Sequence, residues 1–240
     1  MLKDEILNSL IKAGKRLDLK NLIAGTEGNP VTSALVGTEG NLSVRLSQSE
    51  ILITATNSNK GELSNDDFVL LDPTGKILAG KKKPSSELQA HLIAYKHRAD
   101  IGAVIHAHPP NVIALTIAGI KLEAVPLAEA AYLFGSVPTC DFFVPGAGQG
   151  SEVIGRWIAC RDAVIFDHHG AMTVGHTIDE ALIRMEMLEA VAHTVFLYSQ
   201  LGAAAKLDSE TADAIVSTAL EAGYTTIDAI KTWGNLVTGP

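Results

Sequence analysis

Two short apolar runs, Ile101-Gly-Ala-Val-Ile105 and Ala163-Val-Ile-Phe166, each lead the chain to a pair of histidines. The first ends in His106-Ala-His108; the second is followed by Asp167 and then His168-His169-Gly170. Apolar runs of this length, bounded by polar residues and glycine, suit short buried strands. Residues i and i+2 of a strand share a face, so the imidazoles of His106 and His108 project to the same side. Of the adjacent His168 and His169, only one can join them. The chain is thus expected to fold with two strand ends, and their histidines, gathered at one place.

The surrounding pattern alternates between strand and helix. Strand-like runs occur at Leu42 to Leu46, Ile51 to Thr54, Phe68 to Leu71 and Lys76 to Leu78, with the turn Asp72-Pro73-Thr74-Gly75 between the last two. Two more lie near Glu123 to Pro126 and Cys140 to Val144. Helical spacing marks Leu2 to Ile11, Ser85 to Arg98, Gln149 to Cys160 and Asp208 to Ala222. Pro109-Pro110 opens another short helix, since proline fits a first helical turn. The longest helix follows a capping Thr177, runs from Ile178 to about Leu201, and buries Leu182, Met185, Leu188, Ala192 and Val195. A tail with Tyr224 and Trp233 follows, and Gly25 to Asn41 reads as loop. With 240 residues, 47% of them hydrophobic, and no clear linker or repeat, one α/β domain over 1–240 is the economical expectation.

Charge and composition narrow the partners. Lys plus Arg number 19 and Asp plus Glu 27, for a formal charge of −8, which disfavours general nucleic-acid binding because phosphate neutralisation dominates that affinity. No run reaches the roughly 18 apolar residues of a membrane span. Two cysteines, Cys140 and Cys160, suit a reducing cytoplasm rather than a disulfide framework.

Two adjacent imidazoles in a partly buried place need something to engage their lone pairs. A divalent cation does so, and a third histidine from the second pair would complete a three-nitrogen set with an open position. His91, His97, His176 and His193 lie in or beside helical patterns and read as exposed or packing residues. Glu87, in the first turn of the helix preceding the His106 strand, is a carboxylate able to ligate the ion or move protons; alone, it would read as a helix-capping acid. Ser85-Ser86 opens the same helix, where free N–H groups attract an anion, and Lys81-Lys82-Lys83-Pro84 stands directly before it. Gly37-Thr38-Glu39-Gly40-Asn41 and Thr54-Ala55-Thr56-Asn57 also suit an anion site, although neither has P-loop spacing.

In order along the chain, Gly40-Asn41-Leu42-Ser43-Val44-Arg45, Pro84-Ser85-Ser86-Glu87, His106-Ala-His108 and His168-His169-Gly170 resemble the motifs of the class II aldolase/adducin family. The resemblance covers roughly residues 5 to 202 and is greatest for the fuculose-phosphate aldolase branch. It implies an α/β/α domain with a central, mostly antiparallel sheet, in a cytoplasmic homotetramer with sites between subunits. It implies metal ligation by His106, His108, His169 and Glu87, with Glu87 also the catalytic acid/base. Zinc is the implied ion, and three imidazoles with a carboxylate also accept Mn²⁺, Co²⁺ or Fe²⁺. It further implies a phosphorylated sugar substrate, with phosphate held by Asn41, Thr56, Ser85, Ser86 and the backbone of Asn57. The reaction implied is cleavage of a ketose 1-phosphate to dihydroxyacetone phosphate and an aldehyde. The alternatives within the family are a pentulose-phosphate 4-epimerase, a sugar-acid-phosphate decarboxylase and a non-catalytic adducin-like interaction module.

Two departures stand out. Asn57 occupies a position where the family has glycine; asparagine tolerates the left-handed conformation better than most residues. The loop Asp141-Phe142-Phe143-Val144-Pro145-Gly146 lacks the tyrosine that the aldolase branch carries there, leaving Tyr224 as the candidate substitute.

Overall fold

The computed structural model describes residues 2–23, 38–143, 149–202 and 207–238. It is α/β, with one eight-stranded mixed sheet and helices on both faces. The strands are β1 (Asn41–Ser47), β2 (Glu50–Thr54), β3 (Phe68–Leu71), β4 (Ile77–Ala79), β5 (Ala103–Ala107), β6 (Thr139–Cys140), β7 (Ala163–Phe166) and β8 (Gly170–Gly175). Their spatial order is β4-β3-β2-β1-β5-β8-β7-β6. Every pairing is antiparallel except β6 with β7.

The period-2 alternation of the strands divides the core. Leu42, Leu52, Ala103, Ile105 and Ile165 face a layer made by α1 (Leu2–Leu19), α3 (Pro110–Ile117), α4 (Ala128–Phe134) and α6 (Ile178–Leu201). Ile51, Ile53, Val104, Val164 and Met172 face α2 (Leu88–His97) and α5 (Gln149–Ile158). Leu182, Met185, Leu188, Ala192 and Val195 of α6 are all buried, as their spacing predicts. His106 lies on the side of Val104, stacked on Phe166, and so belongs to the layer that α2 covers. Among the described residues, no helix is long and apolar enough to cross a membrane.

Several elements differ from the sequence expectation. Glu123 to Pro126 is not a strand: the Val125 carbonyl accepts the Trp233 indole N–H at 2.8 Å instead of a ladder bond. The run from Cys140 pairs only over Thr139–Cys140, at the sheet edge, and Val144 lies outside the described residues, as does most of the Gly25 to Asn41 loop. Helix α2 starts at Leu88 rather than Ser85. Thr56 N–H donates to Lys83 O and Ser85 N–H to Thr54 O, so Lys83–Ser85 runs beside the end of β2 before the helix begins. Strand β5 extends two residues further than Ile105, placing His106 inside the ladder. Strand β8 was not expected at all, nor was α8 (Ile227–Thr238). With α7 (Ser209–Ala222), α8 packs on α4 through Ile230, Trp233 and Val237.

Candidate functional site

The antiparallel pairing of β5 with β8 sets His106 opposite Met172 and Ala107 opposite Ala171, so the end of β5 adjoins the start of β8. His168 and His169 lie just past the end of β7, as expected, in the tight turn that leads into β8. His168 takes φ +55° and points to solvent, pairing with Asp167 at 2.8 Å. That left-handed residue turns His169 inward. One ligand atom from each of His106, His108 and His169 lies within 4.8 Å of the others. Their rings meet edge to face, with centroids 4.8–5.0 Å apart.

The second nitrogens define the chemistry. His106 Nδ1–H donates to Ala171 O at 2.9 Å, and His108 Nδ1–H donates to Glu39 at 3.1 Å. Both Nε2 atoms therefore point at each other, 3.1 Å apart. Two lone pairs at that distance repel unless a proton or metal cation lies against them. Glu87 completes the cluster, with carboxylate oxygens 3.2 Å from His106 Nε2 and 3.6 Å from His169 Nε2. It occupies the N-cap position of α2 yet makes no side-chain cap bond, which removes its ordinary helix-capping explanation.

Charge is distributed accordingly. Burial disfavours a charged Glu87, but His106 and the Asn41 amide outweigh it and hold the carboxyl well below the usual range. Burial likewise opposes a proton on His106, and Glu87 overcomes it, so that imidazole is raised. His169 is lowered to about 4 by burial and its histidine neighbours, which keeps its nitrogen available as a donor at neutral pH. Three imidazole nitrogens and a carboxylate, with two rings fixed by hydrogen bonds on their far side, can hold a divalent metal ion.

Beside the cluster is a cavity of about 290 Å³, lined by Asn41, Thr56, Asn57, Ser85, Ser86, Glu87, His108 and His169 together with Thr38 to Gly40, Ala55 and Lys60. Every residue named from the sequence as phosphate-binding thus reaches the same cavity. Asn57 has φ +57°, the left-handed conformation that glycine adopts freely and asparagine tolerates.

The family model for the class II aldolase and adducin N-terminal domain matches residues 8–196. The chain belongs to this family. L-fuculose phosphate aldolase of Methanococcus maripaludis is 33% identical over 168 residues, 70% of this chain and 90% of that one. A solved L-fuculose 1-phosphate aldolase superposes with a TM-score of 0.76 at 27% identity, over 89% of this chain and 95% of its own. YgbL of Klebsiella pneumoniae, whose description spans aldolase, epimerase and decarboxylase, shares the fold at 23% identity, with a TM-score of 0.72 over 82% of this chain and 91% of its own.

Within this class II aldolase-family chain, the lysine run lies elsewhere than expected. Lys81 pairs with Asp66 and Lys82 with Asp67; neither lines the cavity. The cavity's cation is Lys60, which sequence reasoning missed because a lone lysine in a polar loop carries no sign of burial. Its side chain is 2% exposed, and Nζ donates to Thr38 O and to Ser58 O, bolting together the two loops that flank the cavity. Burial lowers it to about 8 against the pull of Glu87, Glu39 and Asp67. None of the chain's four tyrosines lines this cavity. Tyr224 sits beside Gly175 at the far end of β8, about 20 Å away by strand rise, so it cannot serve the site of its own chain.

Gly170 is what lets these strands approach. A Cβ there would fall 2.4 Å from Ala107 O and 3.0 Å from the His108 ring. Gly170→Ala is expected to cost about 1–3 kcal/mol of stability, as other forced overpacking does, and to disperse the histidine cluster. Urea unfolding of the metal-free protein checks the first effect; an unchanged midpoint contradicts this account.

Proposed function

We propose that this chain is a divalent-metal-dependent sugar-phosphate aldolase that cleaves a ketose 1-phosphate to dihydroxyacetone phosphate and an aldehyde. The single observation that carries the reading is the adjacency of Glu87 and the three-histidine cluster to a cavity walled by Asn41, Thr56, Ser85 and Ser86. The fuculose-phosphate aldolase relatives supply the substrate class. His106, His108, His169 and Glu87 would hold the ion, with zinc favoured by the resemblance. When bound, it supplies a fixed positive charge beside the substrate oxygens that become negative as the C3–C4 bond breaks.

The chain's own residues do the rest. The hydroxyls of Thr56, Ser85 and Ser86, the amide of Asn41 and the backbone at Asn57 hold the phosphate, while Lys60 beneath them offsets its charge. The C4 hydroxyl gives up its proton as the C3–C4 electron pair withdraws toward C2, releasing the aldehyde. Glu87, as the acid/base, then takes up a proton from solvent and delivers it to C3 to form dihydroxyacetone phosphate. No tyrosine of the described residues lines this cavity, so the proton that the C4 hydroxyl gives up passes to a group other than a tyrosine of this cavity. A homotetramer with sites between subunits, in the cytoplasm, and a single domain over 1–240 belong to the same reading.

The test is a screen of C5 and C6 ketose 1-phosphates with zinc-, cobalt- or manganese-reconstituted protein and coupled detection of dihydroxyacetone phosphate. Cleavage is expected with at least one, lost on chelation and restored by metal. Epimer or CO₂ in place of the triose phosphate overturns the reaction; equal cleavage by metal-free protein overturns the metal role.

A further inference from the structure

We propose that His91 is a positioning residue that makes Asn41 a pure hydrogen-bond donor toward the cavity. The inference rests on the phosphate-site reading above. His91 lies in the middle of α2, where its helical spacing reads as packing, and it is indeed fully buried. Its two ring nitrogens, however, are both spoken for by polar partners.

Beginning from Glu87, the position of each proton in this network is determined. A carboxylate only accepts, so the group that Asn41 turns toward Glu87 is its NH₂, with Nδ2 2.8 Å from Oε2. The Asn41 carbonyl oxygen then faces His91 Nε2, which must carry the hydrogen. Burial lowers His91 to about 3, so the ring is neutral and its Nδ1 is an acceptor. Ser43 supplies that hydrogen across 2.7 Å, and having used its own, accepts one from Tyr95 across 2.8 Å. All four donors and acceptors behind Glu87 are buried, with Asn41 3% exposed, Ser43 and His91 0% and Tyr95 7%. Reversing any link in such a place leaves two acceptors or two donors facing each other without water to relieve them.

The consequence lies at the cavity. With its oxygen held by His91 and one N–H held by Glu87, the Asn41 amide keeps one N–H uncommitted among the described residues, in a wall that also carries Ser85, Ser86 and Thr56. The reverse orientation of the amide would turn its oxygen toward Glu87 and take the N–H away from an anion. Glu87 and His91 together exclude it, and His91 does so without touching the ligand.

The experiment uses inorganic phosphate as the probe, with calorimetric binding and ring-nitrogen NMR of His91 on the full chain. His91→Leu is expected to weaken phosphate binding about tenfold, the worth of one hydrogen bond to a charged group. Asn41→Ala is expected to do the same, and the double variant to be no weaker than Asn41→Ala alone, since His91 acts only through Asn41. His91→Gln, which keeps an N–H donor, should recover most of the loss. Additive losses, or wild-type affinity in His91→Leu beside a weakened Asn41→Ala, overturn the proposal. The His91 ring nitrogens report without phosphate: in the wild type their ¹⁵N shifts should be those of a neutral ring with its hydrogen on Nε2. A ring with its hydrogen on Nδ1 in the wild type overturns the proposal even if no variant folds. The Nε2–H ring in a wild type that binds no phosphate overturns the phosphate reading, and with it the selecting role of His91.

Discussion

Glu87→Gln is expected to lower turnover of a cleavable ketose 1-phosphate by about 10²- to 10⁴-fold, the usual worth of a positioned acid/base. The substitution preserves size and can still accept from the Asn41 amide, which lies 2.8 Å from the carboxylate. It cannot take up a proton at neutral pH. The three imidazoles remain, so metal should be retained at close to the wild-type stoichiometry. Solvent-deuterium exchange at C3 of dihydroxyacetone phosphate isolates the proton step from the carbon–carbon cleavage and should fall in parallel. Retained exchange with lost metal would make Glu87 a ligand alone, and full activity would remove it from the mechanism.

The second large effect concerns the C-terminal helix. Trp233 is 0% exposed and sits among Ala131, Ala212, Ala219 and Val237, with its indole N–H on Val125 O. Trp233→Ala should cost about 3–5 kcal/mol, as large aromatic truncations in cores do. It also leaves the Val125 carbonyl without its donor. Denaturant unfolding gives the value, and a loss below about 1 kcal/mol would mean that α8 contributes little to the fold. Activity per folded molecule should survive, because Trp233 lines no part of the histidine cavity.

What the sequence revealed and concealed follows from burial geometry. His106 and His108 were readable because strand alternation is a local rule. Strand β8 was not, although it is the neighbour of β5: Gly-Ala-Met-Thr-Val-Gly is buried along its whole length and so shows no polar alternation. Local reasoning leaves His168 and His169 open and only the resemblance names His169; a turn with His168 at φ +55° is what brings His169 beside the first pair. Lys60 and His91 both required tertiary structure. A lysine looks solvated and a helical histidine looks like packing until their partners, which come from distant segments, are in view. The tail beyond Gly202 concealed α8 because its apolar face is matched only by α4 and α7.

Strands β1, β5 and β8 lie side by side yet come from widely separated parts of the chain. Such non-local pairing closes late and slowly in folding, because loop entropy is lost before the contacts form. The histidine cluster spans that seam, so no fragment ending before the turn between β7 and β8 contains it. An ion supplied at the start of refolding therefore finds no assembled ligand set in the early chain. On the proposed metal reading, its stabilising effect would belong to the finished structure, as slower unfolding rather than faster folding, and would make the protein's lifetime answer to the supply of metal.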